Sequence, residues 1–180
     1  MSKLVKVLKP GEFEKETYFL TDDEKFNLIP KLRESGNALY NASDYEKACE
    51  KYGQVLQFFD ELMIKEKPND VEWKKLDEQR RPILLNFVQC KLKLGEYYSA
   101  IEHATTILNS DSTNSKALYR RAKAHVGAWN IKEAKEDFET LLKVDPSLNA
   151  LVKQELNLLA QAEQEKNKQD KSNLTRLFST

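Results

Sequence analysis

Five side chains in this sequence carry hydrogen-bond donors at spacings that bring them onto common faces: Arg33, Asn37, Asn86, Lys116 and Arg120. Arg33 and Asn37 are four residues apart, as are Lys116 and Arg120, and residues at that spacing share one face of a helix. The set holds three cations, two amides and no carboxylate. Charged N–H donors hold carboxylate oxygens, and carboxamides bond both carboxylates and peptide backbone. The chemistry open to such a set is capture of an acidic chain end, a terminal carboxylate with an acidic side chain near it. A single lysine or arginine on a helix is ordinarily just solvated. Matching register across three helices is what gives these five a joint meaning.

Other chemistries find less support. His103 and His125 are the only histidines, and neither stands in a metal or nucleophile motif. The carboxylate pairs Asp22-Asp23 and Glu163/Glu165 read as helix-cap and solvated-face residues, and no Gly-rich phosphate loop occurs. No catalytic residue, metal ligand or cofactor is therefore expected. Lys+Arg 29 balance Asp+Glu 29, whereas a protein that neutralises nucleic-acid phosphates is normally basic. Cys49 and Cys90 lie within helical patterns without metal-ligand spacing and read as small buried thiols rather than a disulfide or redox pair. No apolar run is long enough to span a bilayer, and Met1-Ser2-Lys3 does not open a secretory signal. The expected location is cytoplasmic, away from membranes and nucleic acid.

The five positions form one surface only if a repeated element presents them in register, and the chain does repeat. Ala100 and Ala134 lie 34 residues apart. Around them Gly95-Glu96-Tyr97-Tyr98-Ser99-Ala100-Ile101-Glu102 matches Trp129-Asn130-Ile131-Lys132-Glu133-Ala134-Lys135-Glu136. A third copy, Ser43-Asp44-Tyr45-Glu46-Lys47-Ala48-Cys49-Glu50, places Ala48 52 residues before Ala100, one period plus an insertion of 18. Thirty-four residues is the period of the tetratricopeptide helix-turn-helix unit, whose stacked copies build a concave binding face. The 180 residues suffice for one compact domain, and 40% hydrophobic with 32% charged residues suits a largely helical one. The predicted fold is all-α: three tetratricopeptide repeats in a right-handed superhelix over residues 21–146, then a long C-terminal helix over 147–180.

Local signals set the expected boundaries. Thr21 and Glu24 have the spacing of a capping box, and Pro30 predicts a kink or fresh start. The first repeat then runs as helices 29–41 and 45–64, with Gly36 and Ala48 at their close approach and Leu32, Leu39, Tyr52 and Val55 packed around them. Pro68 and Asn69 break the chain, and Asp70 caps a helix that continues past Pro82 to Leu94, where Gly95 closes it. Its partner spans 97–108. In the third repeat Ser115 is the expected cap, followed by helices to Val126 and over 131–144, ended by Asp145-Pro146. From Ser147 a last helix shows an apolar face of Leu148, Leu151, Val152, Leu156, Leu159 and Ala160, read as a cap on the third repeat. Its polar second half ends in an apolar tip, Leu174, Leu177 and Phe178, open to two readings: a frayed end or a contact for another protein. Residues 1–20 stand apart, with Leu4-Val5-Lys6-Val7-Leu8 as either a flexible leader or the last strand of an upstream domain.

Several segments also resemble a known family. Leu32-Arg33-Glu34-Ser35-Gly36-Asn37, Leu85-Asn86-Phe87 and Lys116-Ala117-Leu118-Tyr119-Arg120 look like the dicarboxylate clamp of tetratricopeptide co-chaperones. Those proteins bind the Glu-Glu-Val-Asp C-terminus of heat-shock protein 90 or 70. The family's usual first lysine is Arg33 here, which keeps the charge with a different reach. Leu84-Leu85-Asn86-Phe87-Val88-Gln89-Cys90-Lys91-Leu92, Glu96-Tyr97-Tyr98 and Lys123-Ala124-His125-Val126-Gly127-Ala128-Trp129-Asn130 narrow the likeness. With the insertion and the ending Arg176-Leu177-Phe178-Ser179, they are similar to the immunophilin-like aryl-hydrocarbon-receptor-interacting protein family. The resemblance covers residues 20–180. It implies a co-chaperone adaptor, with no cofactor, whose C-terminal helix contacts a client protein such as a receptor through Leu174, Leu177 and Phe178. It also implies an FK-binding-protein-like domain before residue 20, with Leu4–Leu8 as its final strand; this chain has no room for that domain and is expected to be a truncated part. The competing expectation is a tetratricopeptide scaffold that binds an internal segment of another protein, with no carboxylate requirement.

Overall fold

The structure is a computed structural model that describes residues 20–177. The Leu4–Leu8 strand, Phe178 and the side chain of Leu177 lie outside the described residues. Every regular element among the described residues is helical: α1 Asp22–Asn41, α2 Tyr45–Met63, α3 Val71–Lys93, α4 Tyr97–Ser110, α5 Ser115–Gly127, α6 Ile131–Val144, a 3-10 turn Pro146–Leu148, and α7 Asn149–Leu177. They divide into two compact units, residues up to Ile83 and residues from Leu84 onwards.

The 34-residue period is visible in how the hairpins turn. Ser43, Gly95 and Trp129 are equivalent in the repeats, and all three adopt left-handed backbone, with φ of 63°, 74° and 61°. After each, the next amide reaches back five residues: Asp44 to the Leu39 carbonyl at 3.0 Å, Glu96 to Lys91 at 2.9 Å, Asn130 to His125 at 2.8 Å. That reach closes a helix by satisfying its last carbonyls through a left-handed residue. Glycine adopts this backbone without steric cost, and the other two copies retain it under the same hydrogen bonds.

In the first unit, the expected capping box starts α1. The Glu24 amide donates to Thr21 Oγ1 at 3.3 Å, and the Thr21 amide donates to Glu24 Oε2 at 2.7 Å. The fresh start expected at Pro30 does not occur, because α1 continues through it as one helix. A proline removes one backbone donor and crowds the preceding turn, and packing on both sides outweighs that. Upstream, buried Lys25 pairs with Glu61 of α2 at 2.5 Å; downstream, Leu32 and Gly36 are buried. The insertion behaves as its residues predict. Asp70 Oδ1 accepts the Trp73 amide at 2.9 Å and begins α3, which runs through Pro82.

The second unit is built around small residues. Val88 of α3 packs with Ala100 and Ala104 of α4 and Ala124 of α5, all fully buried, where short side chains let helices approach closely. The cap of α5 is Asn114, not Ser115. Asn114 Oδ1 accepts the Ala117 amide at 3.0 Å while its Nδ2 donates to Asp111 at 3.0 Å. That second bond favours the asparagine over the adjacent serine. Before α7, Asp145 Oδ1 accepts the Ser147 amide at 3.1 Å and imposes a 3-10 turn where a direct helix start was expected.

Val152 and Leu159 carry the buried face of α7, Leu156 is half-buried, and Leu151 and Ala160 are exposed. The apolar face is thus narrower than expected. Polar contacts hold α7 as well: Glu155 accepts from Tyr119 and from Lys123, both at 2.7 Å. Further along, Glu163 pairs with Lys135 at 3.0 Å, and Lys166 lies 4.4 Å from the Trp129 ring centre.

Candidate peptide-binding site

Arg33 and Asn37 sit one turn apart on α1, both exposed, within the first unit. Asn37 is oriented by a neighbour in α2, because the Tyr52 hydroxyl donates to Asn37 Oδ1 at 2.6 Å. That bond fixes which end of the carboxamide accepts and sets Nδ2 as its donor end. The tyrosine reaches this place because residue 36 is glycine. A Cβ there would come within 2.7 Å of Tyr52 Cε1, so a side chain at 36 would displace the ring that orients the amide.

Asn86, Lys116 and Arg120 belong to the second unit. Lys116 and Arg120 lie one turn apart on α5 and line a groove of about 390 Å³. Arg120 Nη1 donates to the backbone carbonyl of Leu85 at 2.5 Å, which ties it to α3 one residue from half-buried Asn86. Among the described residues, no hydrogen bond or ion pair engages Arg33 or Lys116. Lys116 and Arg120 thus share the groove, Asn86 is not among its lining residues although Arg120 is bonded to the carbonyl of the residue before it, and Arg33 and Asn37 form their own pair on α1.

Six groove residues did not emerge from the sequence as site residues: Gln89, Ser115 and Asp145, and the larger apolar or aromatic Tyr119, Leu148 and Leu151. Tyr119 lies between the two cations in sequence, and the two leucines read as part of the α7 packing face. The signal that separates them is adjacency. Residues 151 and 152 are 100° apart on a helix, so a face centred on Val152 leaves Leu151 aside. The Tyr119 hydroxyl is pushed up to about 12, first by burial and then by its hydrogen bond to Glu155. It stays a protonated donor throughout the neutral range.

Cys49 and Cys90 are buried and not joined in a disulfide, as their helical setting suggests. Among the described residues, no cluster of three or more His, Cys, Asp or Glu side chains is arranged to hold a metal ion. No described helix is long and apolar enough to cross a membrane.

The fold has solved counterparts. The C-terminal tetratricopeptide-containing domain of a Plasmodium falciparum FK506-binding protein superposes with a TM-score of 0.70 at 28% identity, covering 84% of this chain and 98% of that one. Over 157 residues the chain is 40% identical to aryl-hydrocarbon-interacting protein-like 1 of Mus musculus, across 87% of this chain and 48% of the relative. The chain carries the tetratricopeptide-repeat domain of the aryl-hydrocarbon-interacting-protein-like family. It spans about half the length of the curated family members it matches. No protein-family model matches it. This family domain also resembles the myosin chaperone UNC-45 of C. elegans, solved in complex with an Hsp90 peptide. The TM-score there is 0.61 at 28% identity, covering 80% of this chain and 14% of UNC-45.

Proposed function

We propose that this domain is a cytoplasmic co-chaperone adaptor that holds the acidic C-terminal peptide of heat-shock protein 90 or 70. Arg33, Asn37, Asn86, Lys116 and Arg120 supply the donors. The observation that carries the reading is the pair of cations one turn apart on the groove wall, Lys116 and Arg120. Carboxylates are the complement of such a pair, and Arg120 is already positioned by its bond to the Leu85 carbonyl. The UNC-45 likeness supports a chaperone peptide as the source of the carboxylates. In the same reading, the exposed end of α7 contacts a client protein, with Leu174 as its described apolar residue. Leu177 and Phe178 would extend that contact.

Titrating a synthetic acidic C-terminal peptide against the same peptide amidated at its end tests the clamp. A lost charged hydrogen bond is worth about 1.5–3 kcal/mol, so amidation should weaken binding about ten- to a hundredfold. A groove that reads an internal segment by its side chains would bind both peptides alike, and that result would end the clamp. Running peptides from both chaperones side by side identifies the preferred one.

A further inference from the structure

The amide of Asn37 is held by a residue that no ligand can touch. Asn37 is exposed, and an exposed carboxamide has two orientations of similar energy, because its terminal torsion is broad and nearly two-fold. Tyr52 of α2 selects one of them. This tyrosine is only 1% exposed, so its hydroxyl proton needs an acceptor within the protein, and Asn37 Oδ1 lies 2.6 Å away. The ring rests against the bare backbone of Gly36, where even a Cβ would come within 2.7 Å of Cε1. Packing thus keeps the hydroxyl beside the amide.

With Oδ1 turned to Tyr52, the amide presents its Nδ2 end, which carries two hydrogens. Arg33, one turn earlier on α1, has five N–H donors and no acceptor. Together these side chains offer a ligand donors. A carboxylate accepts from all of them, whereas a neutral amide of the same shape brings N–H groups of its own that meet other donors. We infer that Tyr52 is a positioning residue of the peptide site: through Asn37 it makes α1 discriminate a ligand carboxylate from the corresponding amide. The inference rests on the carboxylate-binding function proposed above and draws only on α1 and α2.

Fluorescence anisotropy on the full chain, with a synthetic peptide ending in two acidic residues, tests it. Tyr52→Phe removes the hydroxyl and keeps the ring, and circular dichroism checks the fold. The change should weaken the peptide about two- to tenfold, the worth of one net hydrogen bond. In an Asn37→Ala background it should have no further effect, since Tyr52 acts through that amide. Each peptide carboxylate is then converted in turn to its amide. At one of them Tyr52→Phe should narrow the margin between acid and amide, because an Asn37 free to turn can also accept. Equal weakening of the acid and amide peptides, or an undiminished effect without Asn37, makes the hydroxyl a support of the fold alone and overturns the inference. A second readout needs no variant in the titration: the Asn37 side-chain NH2 signals of the unaltered chain should shift in a proton–nitrogen NMR spectrum as the acidic peptide is added. Unmoved signals overturn the inference as well. If amides weaken binding to the unaltered protein while Tyr52→Phe changes nothing, the positioning role fails and the clamp stands. If the unaltered protein binds acids and amides alike, the clamp itself fails and the positioning role with it.

Discussion

Asp137 lies buried between α5 and α6, and Arg121 meets it with two hydrogen bonds, at 2.8 and 2.6 Å, while also donating to Thr105 at 3.1 Å. Removing one member of a buried pair costs more than the pair is worth, because the other charge stays desolvated. Arg121 is 24% exposed and regains some water, so Asp137→Ala should destabilise by about 2–3 kcal/mol, below the fully buried range. Urea unfolding measures this, and a loss within about 0.5 kcal/mol would show that the pair carries little. His125 stands 3.9 Å from the same carboxylate with its ring mostly buried. Burial pushes its pKa below the ordinary histidine value, and Asp137 opposes that. The folded protein thus keeps the ring neutral at a pH where the unfolded chain already binds a proton. Stability from this site is complete above about pH 6.5 and is lost as pH falls through the lowered folded value. His125→Gln should flatten that part of the stability curve relative to the unaltered protein. Equal pH slopes for the two proteins in urea unfolding would remove His125 as the source.

At the scale of elements, α7 has two halves held by different forces. Val152 and Leu159 are buried, and beyond Ala162 the contacts are polar ones that include the Lys135–Glu163 and Lys168–Glu165 pairs and Lys166 over the Trp129 ring. Leu159→Ala should cost about 2–4 kcal/mol through the cavity it leaves. Ending the chain after Ala162 should cost only about 1 kcal/mol, the worth of a few largely exposed ion pairs and one cation–π contact. Thermal unfolding followed by circular dichroism compares the two, and truncation costing as much as Leu159→Ala would mean the distal half packs on something its exposure does not reveal. Most helix ends were legible because their signals are local. Thr21 with Glu24, Asp70 and Gly95 each act within a few residues. Two of the misjudged places depend on partners distant in sequence, whereas the cap at Asn114 and the 3-10 turn at Asp145 turn on competing side chains close by. Pro30 is overruled by packing that includes Lys25 on Glu61, and the narrowing of the α7 face shows only once Val152 is seen to be the residue that packs.

For the molecule as a whole, the repeat period was readable because each hairpin must close with the same backbone turn, which Ser43, Gly95 and Trp129 share. The cationic half of the site was readable for the same reason, since register carries Lys116 and Arg120 onto one face. The apolar wall was not, because Leu148 and Leu151 meet α5 only after the chain has doubled back past α6. Formal charge sums to zero over the chain, so no net charge draws an acidic peptide from a distance. Salt-dependent association must then arise from cations close to the bound carboxylates, within about 8–10 Å at physiological ionic strength. Lys116 lines the groove, whereas Lys132 on α6 is 83% exposed at its side chain and pairs loosely with Glu136 at 3.8 Å. Lys116→Ala should weaken an acidic C-terminal peptide about tenfold or more and flatten the fall of its association rate with added salt. Lys132→Ala removes the same formal charge and should change neither. Stopped-flow association at several salt concentrations reads both variants directly. If Lys132→Ala flattens the salt dependence as much as Lys116→Ala does, the attraction is a diffuse property of the surface and the groove is not where the carboxylates are held.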